Sequence, residues 1–157
     1  MKSLYESILS STHAGKTSII KAWLDENNIK NYTINDKGEV DVDGDVHLSG
    51  LGLTEFPSFI QFGTVKWNFF CNNNNLTTLK GAPKKVGLGF YCSFNNLTTL
   101  EGAPKEVGWD FNCSDNNLTS LKGAPRKAWC FNCVKNTTKF TEEDVRKVCK
   151  VEKKIYV

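Results

Sequence analysis

At 157 residues, with 39% hydrophobic and 24% charged residues and a formal net charge of +3, the chain is sized for one folded unit and is too apolar for a disordered segment. The charge is unevenly spread: residues 1–50 carry five Lys or Arg against eight Asp or Glu, a net of −3, and the remainder is net +6. Met1-Lys2-Ser3-Leu4-Tyr5-Glu6-Ser7 lacks a basic start followed by an apolar run, and no stretch approaches the roughly 18 apolar residues of a membrane span. Export and membrane insertion are therefore not expected, and a cytoplasmic location is.

In chain order, residues 2–9 place Leu4, Tyr5, Ile8 and Leu9 on one helical face, and residues 15–27 do the same with Ile19, Ile20, Trp23 and Leu24. Two helices are predicted. Gly15-Lys16-Thr17 echoes the end of a phosphate-binding loop, but Ser10 stands where that loop needs a glycine, so a helix start is the better reading. Tyr32-Thr33-Ile34 and Val40-Asp41-Val42 flank the turn residues Asn35-Asp36-Lys37-Gly38 and read as a hairpin.

A repeat follows. Val65–Pro83, Val86–Pro104 and Val107–Pro125 each read Val-x-x-x-Phe-x-Cys-x-x-Asn-Asn-Leu-Thr-Thr/Ser-Leu-x-Gly-Ala-Pro, in step every 21 residues. A degraded copy runs from Ala128 through Phe131 and Cys133 to Asn136, one residue shorter because nothing corresponds to Gly108. Before the array, Val42, Val46, Leu48, Leu53 and Phe56 fill the same apolar places, so the repeats begin near Val42. Val86, Leu88, Phe90 and Cys92 alternate with Gly87, Gly89, Tyr91 and Ser93, which predicts a strand with the first set inward. Gly102-Ala103-Pro104 then turns the chain. One coil cannot bury its apolar edge alone, so the coils stack and their strands form a parallel sheet. The asparagines Asn74, Asn95 and Asn116 fall just after the strand, where a side-chain amide can satisfy backbone groups of its own and the adjacent coil. They are read as structural.

Thr141-Glu142-Glu143-Asp144 opens a last helix that turns Val145, Val148 and Cys149 inward, and Ile155-Tyr156-Val157 adds a strand. The expected organisation is an α/β repeat solenoid in three parts: an N-terminal cap over residues 1–41, with two helices and a hairpin, a solenoid over 42–136, and a helical C-terminal cap over 137–157.

The repeat residues resemble the leucine-rich repeat of bacterial type, an apolar strand followed by Asn-x-Leu-x-x-Leu and then proline, over about residues 42–136. Cys92 stands where that pattern carries leucine or valine, and Leu100-Glu101-Gly102-Ala103-Pro104 replaces Leu-Pro. The Asn-Asn-Leu-Thr and Gly-Ala-Pro variant is similar to small leucine-rich-repeat proteins of tailed bacteriophages and prophages. The resemblance implies a short array with a parallel sheet and a phage gene acting in a host bacterial cytoplasm.

Chemistry-bearing residues offer little that looks catalytic. Cys71, Cys92 and Cys113 recur at one place in the repeat, as buried small hydrophobes do, and Cys130 with Cys133 alone make a close pair, with no histidine nearby. No metal, cofactor or disulfide is expected. His13 and His47 stand without a spaced acid and nucleophile and read as exposed. Lys84, Lys85, Lys105, Arg126 and Lys127 follow the prolines, and Arg146, Lys147, Lys150, Lys153 and Lys154 crowd the end. Placed on turns and an exposed helix, they read as solvated rather than as a nucleic-acid surface.

With Phe69, Phe90, Phe111 and Phe131 inward, the residues Asn68, Phe70, Tyr91, Asp110, Asn112 and Asn132 face outward. Aromatics beside polar groups on a solenoid sheet suit a protein interface, and this set is the candidate partner-binding face. The alternative is that Phe70 and Tyr91 pack on each other across the strands. Alternation places Trp67, Trp109 and Trp129 inside, yet Gly44 and Leu88 fill the same place in other copies, which leaves the tryptophans either buried or exposed. The functional expectation is a non-enzymatic adaptor or inhibitor, monomeric or weakly oligomeric, that binds a protein. A self-assembling component and a nucleic-acid binder are the alternatives.

Overall fold

The computed structural model describes residues 12–157. The helix predicted over residues 2–9 lies outside them. Among the described residues the chain forms a β-solenoid of about six turns with a parallel sheet and two helices.

Helix α1 (His13–Glu26) begins where the Thr12 side chain accepts the Gly15 N–H at 2.9 Å and closes where the Asn27 side-chain amide donates to the Trp23 carbonyl. It buries Ile20 and Leu24, and Trp23 meets Phe62 edge-on. The Gly15-Lys16-Thr17 segment therefore lies in the first turns of this helix. Strands β1 (Tyr32–Ile34) and β2 (Val40–Val42) form the predicted antiparallel hairpin, and β2 then pairs in parallel with the next coil.

The first four coils each contribute two short strands rather than one, the first of them β2. The others are β3 (Val46–His47), β4 (Phe62–Val65), β5 (Phe69–Phe70), β6 (Lys85–Val86), β7 (Phe90–Tyr91), β8 (Glu106–Val107) and β9 (Asp110–Asn112). The reason lies at the residues between them. Gly87, Leu88 and Gly89 donate consecutively to the preceding coil, at the Val65 carbonyl, the Trp67 carbonyl and the Asn68 side chain. A strand sends alternate N–H groups to opposite sides, so three in a row on one side bend the chain. The bend turns Leu88 out, 42% exposed, which corrects its expected inward placement. The fifth coil lacks this extra residue. Its strand β10 (Lys127–Asn132) runs unbroken and joins the two halves of one eleven-stranded sheet, in the order β1-β2-β4-β6-β8-β10-β9-β7-β5-β3.

The final strand β11 (Lys150–Tyr156) pairs in parallel with β10 and is longer than the predicted three residues. It follows helix α2 (Glu142–Val148), whose start is a capping box between Thr141 and Asp144. Val145 and Cys149 are buried, whereas Val148, expected inward, is exposed. Cys149 is the extended C-cap of the helix, so its side chain turns inward independently of Val148 on the last helical turn.

The interior is a set of ladders, one residue per coil. Phe69, Phe90 and Phe111 stack at 5.5 and 5.7 Å between centroids, and Phe131 continues the column at 5.1 Å. Cys71, Cys92 and Cys113 form a second fully buried column, and Leu76, Leu97 and Leu118 a third. Each fully buried phenylalanine or leucine contributes about 1.5–3 kcal/mol, and the contact is completed only by the neighbouring coil. The asparagine column closes the backbone. Asn95 donates to the carbonyls of Cys71, Cys92 and Ser93 at 3.0, 3.1 and 3.3 Å and accepts the Leu76 N–H at 2.9 Å. Asn74 repeats that pattern one coil before, and Asn116 and Asn136 one and two coils after.

Candidate functional site

Because alternate residues of a strand point to opposite faces, burying Phe69, Phe90, Phe111 and Phe131 turns their neighbours out. Parallel register then aligns the outward residues into columns. One column runs His47, Phe70, Tyr91, Asn112, Asn132, Tyr156; the next runs Asp45, Asn68, Gly89, Asp110, Cys130, Lys154. All six residues of the sequence-derived face, Asn68, Phe70, Tyr91, Asp110, Asn112 and Asn132, are partly exposed and belong to these two columns.

Phe70 lies between His47 and Tyr91, stacked on both at 4.8 and 5.0 Å with nearly parallel rings. Packing across the strands therefore does occur, and it leaves ring edges on the surface. The Tyr91 ring leans over Gly89 into the neighbouring column, toward Asp110. Burial first, and then the Asp110 carboxylate, hold its phenol above the ordinary tyrosine range. Asn68 accepts from Gly89 N–H at 2.9 Å and donates to Asp45, whose carboxylate also receives the Asn68 backbone N–H.

A third column lies at the bend. Backbone bonds align Gly44, Trp67, Leu88, Trp109 and Trp129. Trp67 is 53% and Trp109 49% exposed, and Trp129, half-buried, stacks on Trp109 at 5.2 Å. The bend that turns Leu88 out turns Trp67 and Trp109 out too, whereas Trp129, on the unbroken β10, is half-buried where the register with β11 shifts. At the far corner of the third coil Phe94 is 54% exposed and holds a left-handed backbone, φ 53°. Asn73, Asp115 and Lys135 adopt the same conformation in their own coils. Asparagine and aspartate tolerate it, but a bulky aromatic is disfavoured there.

Sequence reasoning missed His47, Leu88 and Phe94. His47 carried a usable signal, standing one residue after Val46 as Phe70 stands after Phe69. Leu88 and Phe94 carried none, because both depend on where the chain bends.

Burial pushes the Cys71 and Cys113 thiols well above the usual range, the Cys92 thiol likewise, and those of Cys133 and Cys149 up to about 11. Cys130 is part-exposed in an outward column while Cys133 is buried, so the close pair points to opposite faces of the strand. Among the described residues no three His, Cys, Asp or Glu side chains are grouped to hold a metal ion. Three of the five basic residues after the prolines are tied to neighbours, whereas Lys105 and Arg126 form no ion pair among the described residues. Lys84 pairs with Glu39, Lys85 with Glu106 at 2.9 Å, Lys122 with Glu101 at 2.9 Å and Lys127 with Glu152 at 2.9 Å. Lys85 and Lys127 sit on strands rather than turns, as do Lys150, Lys153 and Lys154. No helix among the described residues is long and apolar enough to cross a membrane.

The molecule is a repeat solenoid with an exposed aromatic face along its sheet. No protein family matches the chain, and no curated protein and no solved structure matches it.

Proposed function

We propose that the chain is a non-enzymatic protein-binding module of bacterial leucine-rich-repeat type, with its terminal helices and hairpin serving as caps and the outward sheet face serving as the contact surface. The observation that carries the reading is the pair of aromatic columns, His47-Phe70-Tyr91 and Trp67-Leu88-Trp109-Trp129, displayed beside the amides and carboxylates of Asn68, Asp110, Asn112 and Asn132. Monomeric surfaces rarely leave large aromatics grouped in water, and interface centres are rich in tryptophan and tyrosine with a polar surround. The ion pairs of Lys84, Lys85 and Lys127 weigh against a nucleic-acid surface there, since paired lysines offer less to phosphate. The resemblance to phage and prophage repeat proteins points to an adaptor or inhibitor acting on a host bacterial protein.

The test is affinity capture from a bacterial lysate, with and without phage infection, using the parent and Phe70→Ala with Tyr91→Ala. The double variant is expected to stay folded and to lose about 2 kcal/mol or more of binding. Undiminished capture by the folded double variant, with loss on charge reversal at Arg146, Lys147 and Lys150, would place the contact surface elsewhere.

A further inference from the structure

The outward columns are ordered in a way that suits one occupant in particular. In the column Asp45, Asn68, Gly89, Asp110, Cys130, Lys154 the first level is acidic and the sixth is basic. Neither Asp45 nor Lys154 forms an ion pair among the described residues. The adjacent bend column places apolar residues at the second to fifth levels. A strip that is acidic at one end, apolar along its middle and basic at the other matches its own reverse.

We propose that this face pairs with the same face of a second copy, related by a two-fold axis lying along the strands between the third and fourth levels. Such an axis reverses the order of the levels and keeps each column opposite itself, the geometry of a self-complementary two-fold contact. Asp45 of one copy then meets Lys154 of the other. Trp67 meets Trp129, and Leu88 meets Trp109, so each exposed apolar group of the bend column gains an apolar partner. Asp110 falls opposite Gly89, which avoids a carboxylate facing a carboxylate and leaves room beside the Tyr91 ring. The six levels span about 24 Å at ordinary strand spacing. That is small for a permanent assembly, so the dimer is expected to depend on concentration.

The inference rests on the outward face being a contact surface and adds which partner it takes. Sedimentation velocity of the full chain over a dilution series tests it, with circular dichroism and thermal melts confirming the fold of each variant. The parent is expected to pass from monomer to dimer on concentration. Asp45→Lys and Lys154→Asp, each alone, are expected to remain monomeric where the parent dimerises. Asp45→Lys with Lys154→Asp in the same chain is expected to restore the dimer, because the reversed charges meet again across the axis. A parent that stays monomeric at every concentration, assemblies larger than a dimer, or a folded double variant that does not recover would each overturn the proposal. A monomeric parent that still captures a different protein, and loses it on Phe70→Ala with Tyr91→Ala, would overturn the self-pairing and keep the face as a contact surface.

Discussion

The Tyr91 ring lies over Gly89 and occupies the space that a side chain at that position would fill. The absence of a Cβ at Gly89 is what lets the phenol reach from its own column toward Asp110. Gly89→Ala is therefore expected to swing the ring away while costing little, since only the free end of one side chain must move. A melt within about 1 kcal/mol of the parent is expected, the low end for overpacking because a ring can step aside, together with measurably weaker partner binding. Unchanged binding in the folded variant would remove Tyr91's placement from the account.

Gly87 makes the opposite prediction although it is exposed and Gly89, under the Tyr91 ring, is buried. A Cβ there would run into the Lys66 backbone carbonyl of the preceding coil, and Gly108 meets the Gly87 carbonyl in the same way. Backbone cannot step aside as a ring can. Gly87→Ala is expected to cost about 3 kcal/mol, the upper end for overpacking. Equilibrium denaturation reads it, and a midpoint equal to the parent's would contradict the close approach of the coils.

Asn95 ties three carbonyls and one N–H across two coils. Removing the amide leaves buried groups without partners, so Asn95→Ala is expected to destabilise by about 1–3 kcal/mol. Binding should fall only as the fold does. A variant that melts like the parent yet no longer binds would transfer Asn95 from the scaffold to the contact surface.

The regular part of this architecture was legible because one residue per coil is enough to reveal a ladder. The Phe69, Phe90 and Phe111 column, the cysteine column and the hairpin at Tyr32–Val42 all follow from spacing and burial. The shortened fifth copy was also visible, but not its consequence, because an unbroken β10 depends on hydrogen bonds that a pattern of apolar residues does not encode. The same limit explains Leu88. Period-two alternation assumes that the chain stays extended, and here it bends between the two strands of the coil, as it does at Trp67. The half of the face built from Phe70, Tyr91 and the outward amides was readable from alternation. The half at the bend, with the exposed tryptophans, required the geometry.

The buried thiols give a pH dependence. Burial raises Cys133 and Cys149 from 9.0 to about 11 in the folded chain. A raised folded pKa means stability that is full below the unfolded value and is lost as pH rises through the folded one. Stability is therefore expected to decline above about pH 9, with the share of Cys133 and Cys149 lost by about pH 11, and Cys133→Ala with Cys149→Ala should lessen that decline in chemical denaturation, the rest belonging to Cys71, Cys92 and Cys113. In the native chain Cys130 should be alkylated ahead of Cys71, Cys92 and Cys113, which are fully buried. Equal labelling rates would contradict the ladder.

The central claim is that the outward face of the sheet is where this molecule meets its partner, and hydroxyl-radical footprinting of the tryptophans tests it most directly. Trp67 and Trp109 are about half exposed in the isolated chain, whereas Trp23 packs on Phe62 beneath α1 and serves as the internal reference. In the complex, whether with a captured protein or with a second copy at high concentration, oxidation of Trp67 and Trp109 is expected to fall several-fold while that of Trp23 stays unchanged. Full complex formation with Trp67 and Trp109 as reactive as in the free chain would contradict the account.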